Sequence, residues 1–163
     1  MNEGPTVRVA GTRDLSAFLG LVDELADYEK LERPTPEARA RLERDGFGAE
    51  PVFTPFVAEL GGEIVGYAIV FYTYSSFLAR PTLYLEDVFV RPESRGAGVG
   101  HAIFRHLAAE AVRRDCGRME WVVLDWNRLA IDFYDRLGAQ ALDGWTTYRL
   151  DRERLESMAA GSA

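Results

Sequence analysis

A glycine-rich stretch in the middle of the chain has the residue types of a phosphate-binding loop. It reads Arg95-Gly96-Ala97-Gly98-Val99-Gly100, and it follows an apolar run and precedes apolar residues at helical spacing. Glycines let the backbone approach a ligand closely, and the start of the following helix adds unpaired N–H donors and a partial positive charge. Arg95 adds a cationic side chain at the loop entrance. The stretch predicts a pyrophosphate cradle, although a tight turn that merely needs glycine accounts for the same letters.

The spacing of this loop separates it from two familiar nucleotide motifs. A dinucleotide-binding fold uses G-x-G-x-x-G near the beginning of a βαβ unit, whereas this loop reads G-x-G-x-G in mid-chain. A nucleoside-triphosphate P-loop needs lysine and then Ser or Thr after its last glycine, and here Gly100 is followed by His101 and Ala102. The spacing therefore disfavours the first motif and excludes the second.

Metal and thiol chemistry have little support in the sequence. His101 and His106 are five residues apart, so they do not share a helical face, and no metal site is predicted. Cys116 has no histidine nearby in sequence and is typical of a small core residue. Because it is the only cysteine, no intramolecular disulfide can form, and a reducing compartment is the simplest setting.

Length and charge limit the classes of partner. The 163 residues are expected to form one domain, 1–163, with loose ends at about 1–5 and 159–163. The balance of 26 acidic to 19 basic residues gives a net charge of −7, which disfavours nucleic acid and anionic membranes. The sequence has no spanning-length apolar run and no leader pattern at its start, so we expect a cytoplasmic protein.

Apolar periodicity and turn residues predict the elements that position the loop. Asp14 and Thr35 are placed to cap helices, with Pro36 at a first helical position, and Gly138 is placed to close one. Gly61-Gly62 separates two apolar runs and supplies the positive φ of a tight hairpin. The predicted strands are Val7–Val9, Phe56–Leu60, Glu63–Tyr74, Leu83–Val90, Glu120–Leu124 and Thr146–Leu150. Three predicted helices run from Asp14 to near Lys30, from Pro36 to about Asp45 and from Arg128 to Leu137. A fourth follows the glycine loop and carries on one face the residues Ile103, Phe104, Leu107, Ala108 and Ala111. A mixed sheet flanked by helices, of α/β (α+β) class, follows.

Two motifs in this order carry a family resemblance. Val88-Phe89-Val90 leading into the glycine loop resembles the acetyl-CoA motif of the GCN5-related N-acetyltransferase (GNAT) superfamily. Leu124-Asp125-Trp126-Asn127, followed by Phe133-Tyr134 and Leu137-Gly138-Ala139, resembles the second cofactor motif of that superfamily. The resemblance implies acetyl-CoA as cofactor and a mostly antiparallel sheet that is splayed where acetyl-CoA binds.

Within the superfamily, the chain looks most like the diamine and thialysine N-acetyltransferase group. The likeness rests on residues 25–30, 45–48 and 83–87, and it covers most of the chain from Val7 to Trp145. Tyr74-Ser75 and the asparagine-containing motif resemble the thialysine branch more than the polyamine branch, which carries an aspartate where this chain has Ser75. Loss of a carboxylate weakens attraction for a second ammonium. The resemblance implies a small-molecule amine as substrate.

The resemblance also assigns roles to single residues. Glu86 is the candidate base, or else it only binds the ammonium; Tyr134 is the candidate acid for the leaving thiolate. The main-chain N–H of Val88 is expected to stabilise the thioester oxygen, on a strand separated from its neighbour by a bulge. Tyr134 lies seven residues after Asn127, so the two share a face with Ala130 if one helix includes both. The implied cofactor-binding residues are Val88, Phe89, Val90, Arg95, Gly96, Ala97, Gly98, Val99, Gly100, His101, Asn127 and Ala130, and the implied substrate-binding residues are Tyr28, Glu29, Glu86, Asp87 and Asp143.

Two other functions remain open at this stage. One keeps the fold and makes a protein lysine or N-terminus the acceptor; the other is a non-catalytic acyl-CoA-binding module. The presence of both Glu86 and Tyr134 argues against the module. The resemblance further implies a homodimer.

Overall fold

A computed structural model of the chain describes residues 4–161. Of the loose ends expected at 1–5 and 159–163, residues 1–3 and 162–163 lie outside this part, and Ala159 ends a helix. The described residues form two compact units, and the boundary between the units lies between Val122 and Val123. The first unit holds the sheet and three α-helices, and the second holds two further helices.

The sheet of the first unit is mixed and mostly antiparallel, as the sequence predicts. Its strands are β1 Thr6–Val9, β2 Thr54–Leu60, β3 Glu63–Ser75, β4 Arg80–Val90 and β5 Arg118–Glu120. They follow chain order across the sheet, and each of the pairs β1–β2, β2–β3 and β3–β4 is antiparallel. The last pair, β4 with β5, is parallel.

The helix predicted to begin at Thr35 and Pro36 begins there. The Thr35 hydroxyl accepts a hydrogen bond from Ala38 N at 3.2 Å, and Pro36 occupies the first turn, so the predicted cap is confirmed. Ala108, which was expected on the apolar face of the helix after the glycine loop, is exposed. The helices are α1 Leu15–Glu29, α2 Pro36–Phe47, α3 Val99–Arg113, α4 Arg128–Arg136 and α5 Arg152–Ala159, with 3₁₀ turns at Thr12–Asp14 and Pro92–Ser94.

The β2–β3 hairpin turns on Gly61 and Gly62, as the sequence predicts. Leu60 pairs with Glu63, so the loop has two residues, and their φ angles are +61° and +84°. Positive φ at both central residues is the requirement of a type I′ turn, whose twist matches that of the flanking strands. The turn sets the register of the first β2–β3 pairs, and a bulge at Val65 shifts that register by one residue before Ala58 pairs with Gly66.

A cluster of buried side chains joins α1 to the central strands. It consists of Phe18 and Leu21 from α1, Tyr67 and Ile69 from β3, and Phe89 from β4. The rings of Phe18 and Tyr67 meet edge to face with centroids 5.2 Å apart. A Cβ on Gly66 would lie 2.8 Å from the carbonyl oxygen of Phe89, so only glycine lets β3 and β4 approach this closely there. The cluster fixes the end of β4 from which the glycine loop departs.

The prediction that Asp14 caps α1 with its side chain is wrong. Asp14 lies at the cap position but makes no side-chain cap bond; its carboxylate accepts hydrogen bonds from Gly11 N at 2.8 Å and from the Arg8 guanidinium at 2.6 and 3.0 Å. Arg8 also donates to Glu59 on β2 at 2.9 Å. The Asp14 carboxylate is buried, and the charged Arg8 guanidinium stabilises it more than a single backbone N–H at the start of α1 would.

Replacing Asp14 by asparagine should lower the free energy of unfolding by about 1–3 kcal/mol at pH 7, because the Arg8 guanidinium loses a charged acceptor. The Arg8 hydrogen bond holds the pKa of Asp14 at about 2, below its usual 3.8. A depressed pKa means that this stability is present above pH 3.8 and is lost as pH falls through 2. In urea unfolding, the difference in free energy of unfolding between Asp14→Asn and the unmodified protein should therefore become smaller below pH 4. Glu50→Gln, at an exposed carboxylate, should leave the free energy of unfolding unchanged at every pH.

Two predicted strands are wrong in whole or in part. The strand expected over Glu120–Leu124 pairs only at Arg118–Glu120, and residues 146–150, expected as a last strand, have no strand structure and are exposed. A strand requires a neighbouring backbone as well as a suitable residue pattern, and the pattern alone does not supply one. Helix α5 was not predicted from the sequence, although the Asp151 side chain caps it by accepting a hydrogen bond from Arg154 N at 2.9 Å.

Candidate active site

The glycine loop combines left-handed backbone with open space. Gly96 and Gly98 both have φ of +80°, and Gly98 is the residue immediately before α3. A Cβ built on either glycine meets no atom within 4 Å. Glycine is therefore required here for its conformation and not to avoid a clash. Gly100 lies inside the first turn of α3.

The first turn of α3 presents backbone donors at the end of this loop. The first intrahelical bond runs from Ala102 N to the Gly98 carbonyl oxygen at 2.9 Å, so the N–H groups of Val99, Gly100 and His101 precede the helical ladder. Val99 is buried and anchors the turn, whereas His101 is exposed. Such N–H groups, with the positive end of the helix dipole, suit an anion such as a phosphate.

Arg95 at the loop entrance links the loop to α1. Its Nε donates to the Val90 carbonyl oxygen at 3.0 Å, and its guanidinium lies over the rings of Tyr28 and Phe89, at 5.0 and 5.9 Å from their centroids. These contacts fix where β4 enters the loop and bring the end of α1 to it. A phosphate contact by Arg95 stays a prediction.

A β-bulge lies at Glu86. On β4, Asp87 pairs with Ile69 of β3 and Leu85 pairs with Val70, which leaves Glu86 as the extra residue, with its side chain exposed. The β4–β5 pairing ends at Tyr84, before the bulge. Beyond that point alternate N–H groups of β4 point away from β3. This is the splayed strand that the family resemblance implies, although the role of the Val88 N–H stays a prediction.

The charges of Glu86 and Glu29 both act on Asp87, and these three residues form what we call the acidic cluster. The Tyr67 hydroxyl donates to Oδ2 of Asp87 at 3.0 Å. Burial raises the pKa of Asp87 to about 6; the Tyr67 hydrogen bond opposes this rise, and the charges of Glu86 and Glu29 add to it. Burial also raises the pKa of Glu29. Two carboxylates that act on a third, half-buried carboxyl group favour a bound cation there.

Tyr67 is the residue of this cluster that sequence reasoning missed. The signal was a hydroxyl-bearing aromatic inside the apolar run 63–74. Its partner could not be inferred, because the bulge at Glu86 shifts the β3–β4 register by one residue between Leu85 and Asp87. Burial raises the pKa of Tyr67 far above its usual range, so the phenol stays protonated and acts as a donor.

In the second unit, α4 is fixed at both ends. The Asn127 side chain caps its start, with Oδ1 accepting from Ala130 N at 3.3 Å, so Asn127 lies just outside the helix that carries Tyr134. At the other end Ala139 N donates to the Tyr134 carbonyl oxygen at 3.1 Å. Gly138, with φ of +82°, donates from its backbone N to the Asp135 carbonyl oxygen at 3.0 Å. This pair of bonds is a Schellman motif, and Gly138 ends the helix as predicted.

The other predicted residues of this unit differ in their surroundings. Tyr134 is partly buried, and its ring centroid lies 5.7 Å from that of Phe133. Asp143 is exposed in an irregular segment that follows α4. The second unit therefore holds Ala130 and Tyr134 on one short helix that Asn127 caps, and Asp143 lies outside this helix.

Residues 4–161 contain neither a membrane-spanning helix nor a metal-binding group of side chains. None of the helices in this range has the length and apolar character to cross a membrane. Over the same range, His, Cys, Asp and Glu side chains form no group of three or more that could hold a metal ion.

Comparison with known proteins agrees with the sequence motifs. Residues 18–139 match the model of the acetyltransferase (GNAT) family. The thialysine N-epsilon-acetyltransferase of Bos taurus is 37% identical over 94% of this chain and 96% of its own length, and that of Mus musculus is 35% identical over the same shares. The spermidine/spermine N(1)-acetyltransferase-like protein 1 of Homo sapiens is 34% identical over 94% of this chain and 23% of its own length.

Solved structures agree in fold at lower identity. An integron cassette protein from V. cholerae superposes with a TM-score of 0.81 at 21% identity, covering 96% of this chain and 98% of that one. AAC(6′)-Iy, in complex with the bisubstrate analog CoA-S-monomethyl-acetylneamine, has a TM-score of 0.75 at 19% identity, covering 91% and 99%. The family resemblance drawn from the glycine loop and the second motif is confirmed, and the chain belongs to the acetyltransferase (GNAT) family.

Proposed function

We propose that the protein is an acetyl-CoA-dependent N-acetyltransferase whose acceptor is the primary amine of a small molecule, either a thialysine-like amino acid or a diamine. The observation that carries the proposal is the acidic cluster of Glu29, Glu86 and Asp87 in the same unit as the glycine loop, whose geometry suits an anion. Arg95 connects the two, since it contacts Tyr28, the neighbour of Glu29, and β4. A cationic acceptor and an anionic acetyl donor need these two environments.

The chemistry is direct attack of the amine on the acetyl thioester in a ternary complex. An alkyl ammonium has a pKa near ~10.4, so a base must take its proton before the nitrogen can attack. Glu86, exposed on the bulge, is assigned this role. A C–N bond forms and the C–S bond breaks, and the Tyr134 hydroxyl gives its proton to the departing sulfur. The second proton of the attacking nitrogen is released as the amide forms, and it reprotonates Tyr134 through solvent.

Acetyl-CoA fits the donor groups that the chain presents. The loop from Arg95 to Gly100 and the N–H of His101 are assigned to its pyrophosphate, because the space beside Gly96 and Gly98 is open and the N–H groups of the first α3 turn precede the helical ladder. Main-chain groups from Val88 to Val90 are assigned to the acetyl and pantetheine portions, as are Asn127 and Ala130. The coenzyme supplies the activated acetyl thioester, and the N–H of Val88 is assigned to the oxygen on which negative charge develops.

A smaller acceptor is favoured over a long polyamine. Ser75 stands where the polyamine branch carries an aspartate, and here it is buried, with its hydroxyl accepting from Leu78 N at 3.2 Å. It therefore closes the turn between β3 and β4 and supplies no charge for a second ammonium. The thialysine acetyltransferases of cattle and mouse are among the relatives that match nearly the whole chain, which supports the same choice.

The domain, its assembly and its location are part of the proposal. The family match runs across the division at Val122, which supports treating 1–163 as one N-acetyltransferase domain. A homodimer in the cytoplasm is proposed from the family resemblance and the single cysteine, Cys116. Light scattering of the purified protein at micromolar concentration should give twice the mass of 18.3 kDa; the monomer mass would refute the dimer.

Calorimetry and mass spectrometry together test the proposal. Acetyl-CoA should bind the purified protein, and incubation with thialysine should add one acetyl group to the side-chain amine. Binding without any acetylated product from an amine panel would indicate a non-catalytic acyl-CoA-binding module. A product found only on a peptide lysine or N-terminus would indicate a protein acetyltransferase.

Replacing Gly98 by alanine should weaken acetyl-CoA binding about tenfold. A Cβ at φ of +80° costs roughly 1–2 kcal/mol, and relief of that strain moves the N–H groups of the first α3 turn. Calorimetric titration with acetyl-CoA measures the change. Gly62→Ala is the matched control, because Gly62 has φ of +84° and equally open space but lies in the β2–β3 turn. Equal affinities for acetyl-CoA in the two variants would contradict the assignment of the glycine loop to the binding site.

A further inference from the structure

The buried tyrosine of β3 presents a fixed hydrogen-bond donor to the acidic cluster. Tyr67 has no solvent exposure, and its ring packs edge to face on Phe18 at 5.2 Å. Its hydroxyl reaches Oδ2 of Asp87 at 3.0 Å. Because close packing holds the ring, the hydroxyl cannot follow the carboxylate if it turns away. The donor therefore defines the orientation of the carboxylate.

The other groups that act on Asp87 are acidic. Among residues 4–161, the titratable groups that influence it are Tyr67 on β3, Glu29 at the end of α1 and Glu86, its neighbour on β4. Both carboxylates oppose ionisation of Asp87, and burial opposes it too. The phenol is the one group of this set that favours the ionised form, because a hydrogen bond to a carboxylate stabilises its charge.

We propose that Tyr67 is a positioning residue for the acceptor amine: its hydroxyl keeps the Asp87 carboxylate ionised and orients it to bind the ammonium. The inference rests on the proposed function, in which Asp87 binds substrate. With one carboxylate oxygen taken by the phenol, the other is assigned to the amine. A protonated or rotated Asp87 would lose that attraction.

Tyr67→Phe tests this role, because it removes one oxygen atom and keeps the ring that packs in the core. In the variant, NMR titration of the ¹³C-labelled Asp87 carboxyl, assigned with Asp87→Asn, should move its midpoint from about 6 upward by about one pH unit. The acidic limb of kcat/KM should move in the same direction. Near pH 6.5 the KM for the amine should rise about threefold, because the ionised fraction of Asp87 falls by that factor, with kcat changed less than twofold.

Tyr72→Phe is the matched control. Tyr72 lies on the same strand, and its hydroxyl also donates to a carboxylate, that of Glu110 on α3, at 3.4 Å. Its removal should leave the Asp87 titration and the pH profile unchanged. In an Asp87→Asn background, Tyr67→Phe should cause no further rise in KM, because the group that it positions is no longer ionisable.

The possible results separate this inference from the proposed function. An unchanged Asp87 midpoint in Tyr67→Phe contradicts the inference, as does a moved midpoint with an unchanged KM. Absence of amine-dependent CoA release by the unmodified protein contradicts the proposed function, and the amine-binding part of the inference fails with it. A shift shared by Tyr72→Phe would show a general effect of hydroxyl removal and would also overturn the assignment to Tyr67.

Discussion

Replacing Tyr134 by phenylalanine is expected to lower kcat about 100- to 1,000-fold while the affinity for acetyl-CoA changes by less than about twofold. The substitution removes only the hydroxyl that is assigned to protonate the departing sulfur. The helix that carries it should persist, because its ends depend on the Asn127 cap and on the bond from Ala139 N to the Tyr134 carbonyl oxygen. Steady-state thiol release gives kcat, and calorimetry gives the affinity.

A second tyrosine of the same unit serves as the control. Tyr148 is 92% exposed in an irregular segment and has no assigned role, so Tyr148→Phe should retain full turnover. If Tyr134→Phe also retains full turnover with a good acceptor, Tyr134 is not the acid, and water or another group protonates the thiolate. A parallel loss of acetyl-CoA affinity would assign the hydroxyl to binding and not to proton transfer.

Replacing Glu86 by glutamine is expected to lower kcat/KM about 100-fold at pH 7. The isosteric amide cannot accept the ammonium proton. The deficit should shrink as pH approaches ~10.4, because the acceptor is then increasingly neutral without a base. The pH dependence of kcat and KM, measured separately from pH 6 to 10, provides the test.

The same measurement decides between the two roles left open for Glu86. A residue that only binds the ammonium would raise KM and leave kcat near that of the unmodified protein. Glu63→Gln, at an exposed carboxylate in the first pair of β3, should leave both constants unchanged. An unchanged kcat with a raised KM would contradict the base role and keep the residue in the acidic cluster.

The features that the sequence predicted correctly depend on short-range physics. Thr35 with Pro36 begins a helix, Gly61 and Gly62 form a two-residue turn, and Gly138 ends α4, each through contacts within a few residues. Caps and turns of this kind can be predicted from the sequence because the groups that form them are neighbours in the chain. They were sufficient to place the glycine loop between a strand and a helix.

The features that failed depend on distant partners. Residues 146–150 alternate like a strand but have no ladder in the structure, and Asp14 bonds to Arg8 on another element instead of capping its own helix. The Tyr67–Asp87 hydrogen bond joins residues twenty positions apart, and its formation requires the one-residue shift at Glu86. Register and long-range charge pairing are set by the assembled sheet, which the local pattern does not encode.

The measurement that tests the central claim most directly is CoA release from acetyl-CoA with a panel of acceptors, namely thialysine, diaminopropane, spermidine and a lysine-containing peptide. The acidic cluster and the uncharged Ser75 predict amine-dependent release, with kcat/KM for thialysine at least about tenfold above that for spermidine and for the peptide. Release that no amine stimulates would contradict the assignment of an acetyltransferase with a small-molecule acceptor, and so would a clear preference for the peptide.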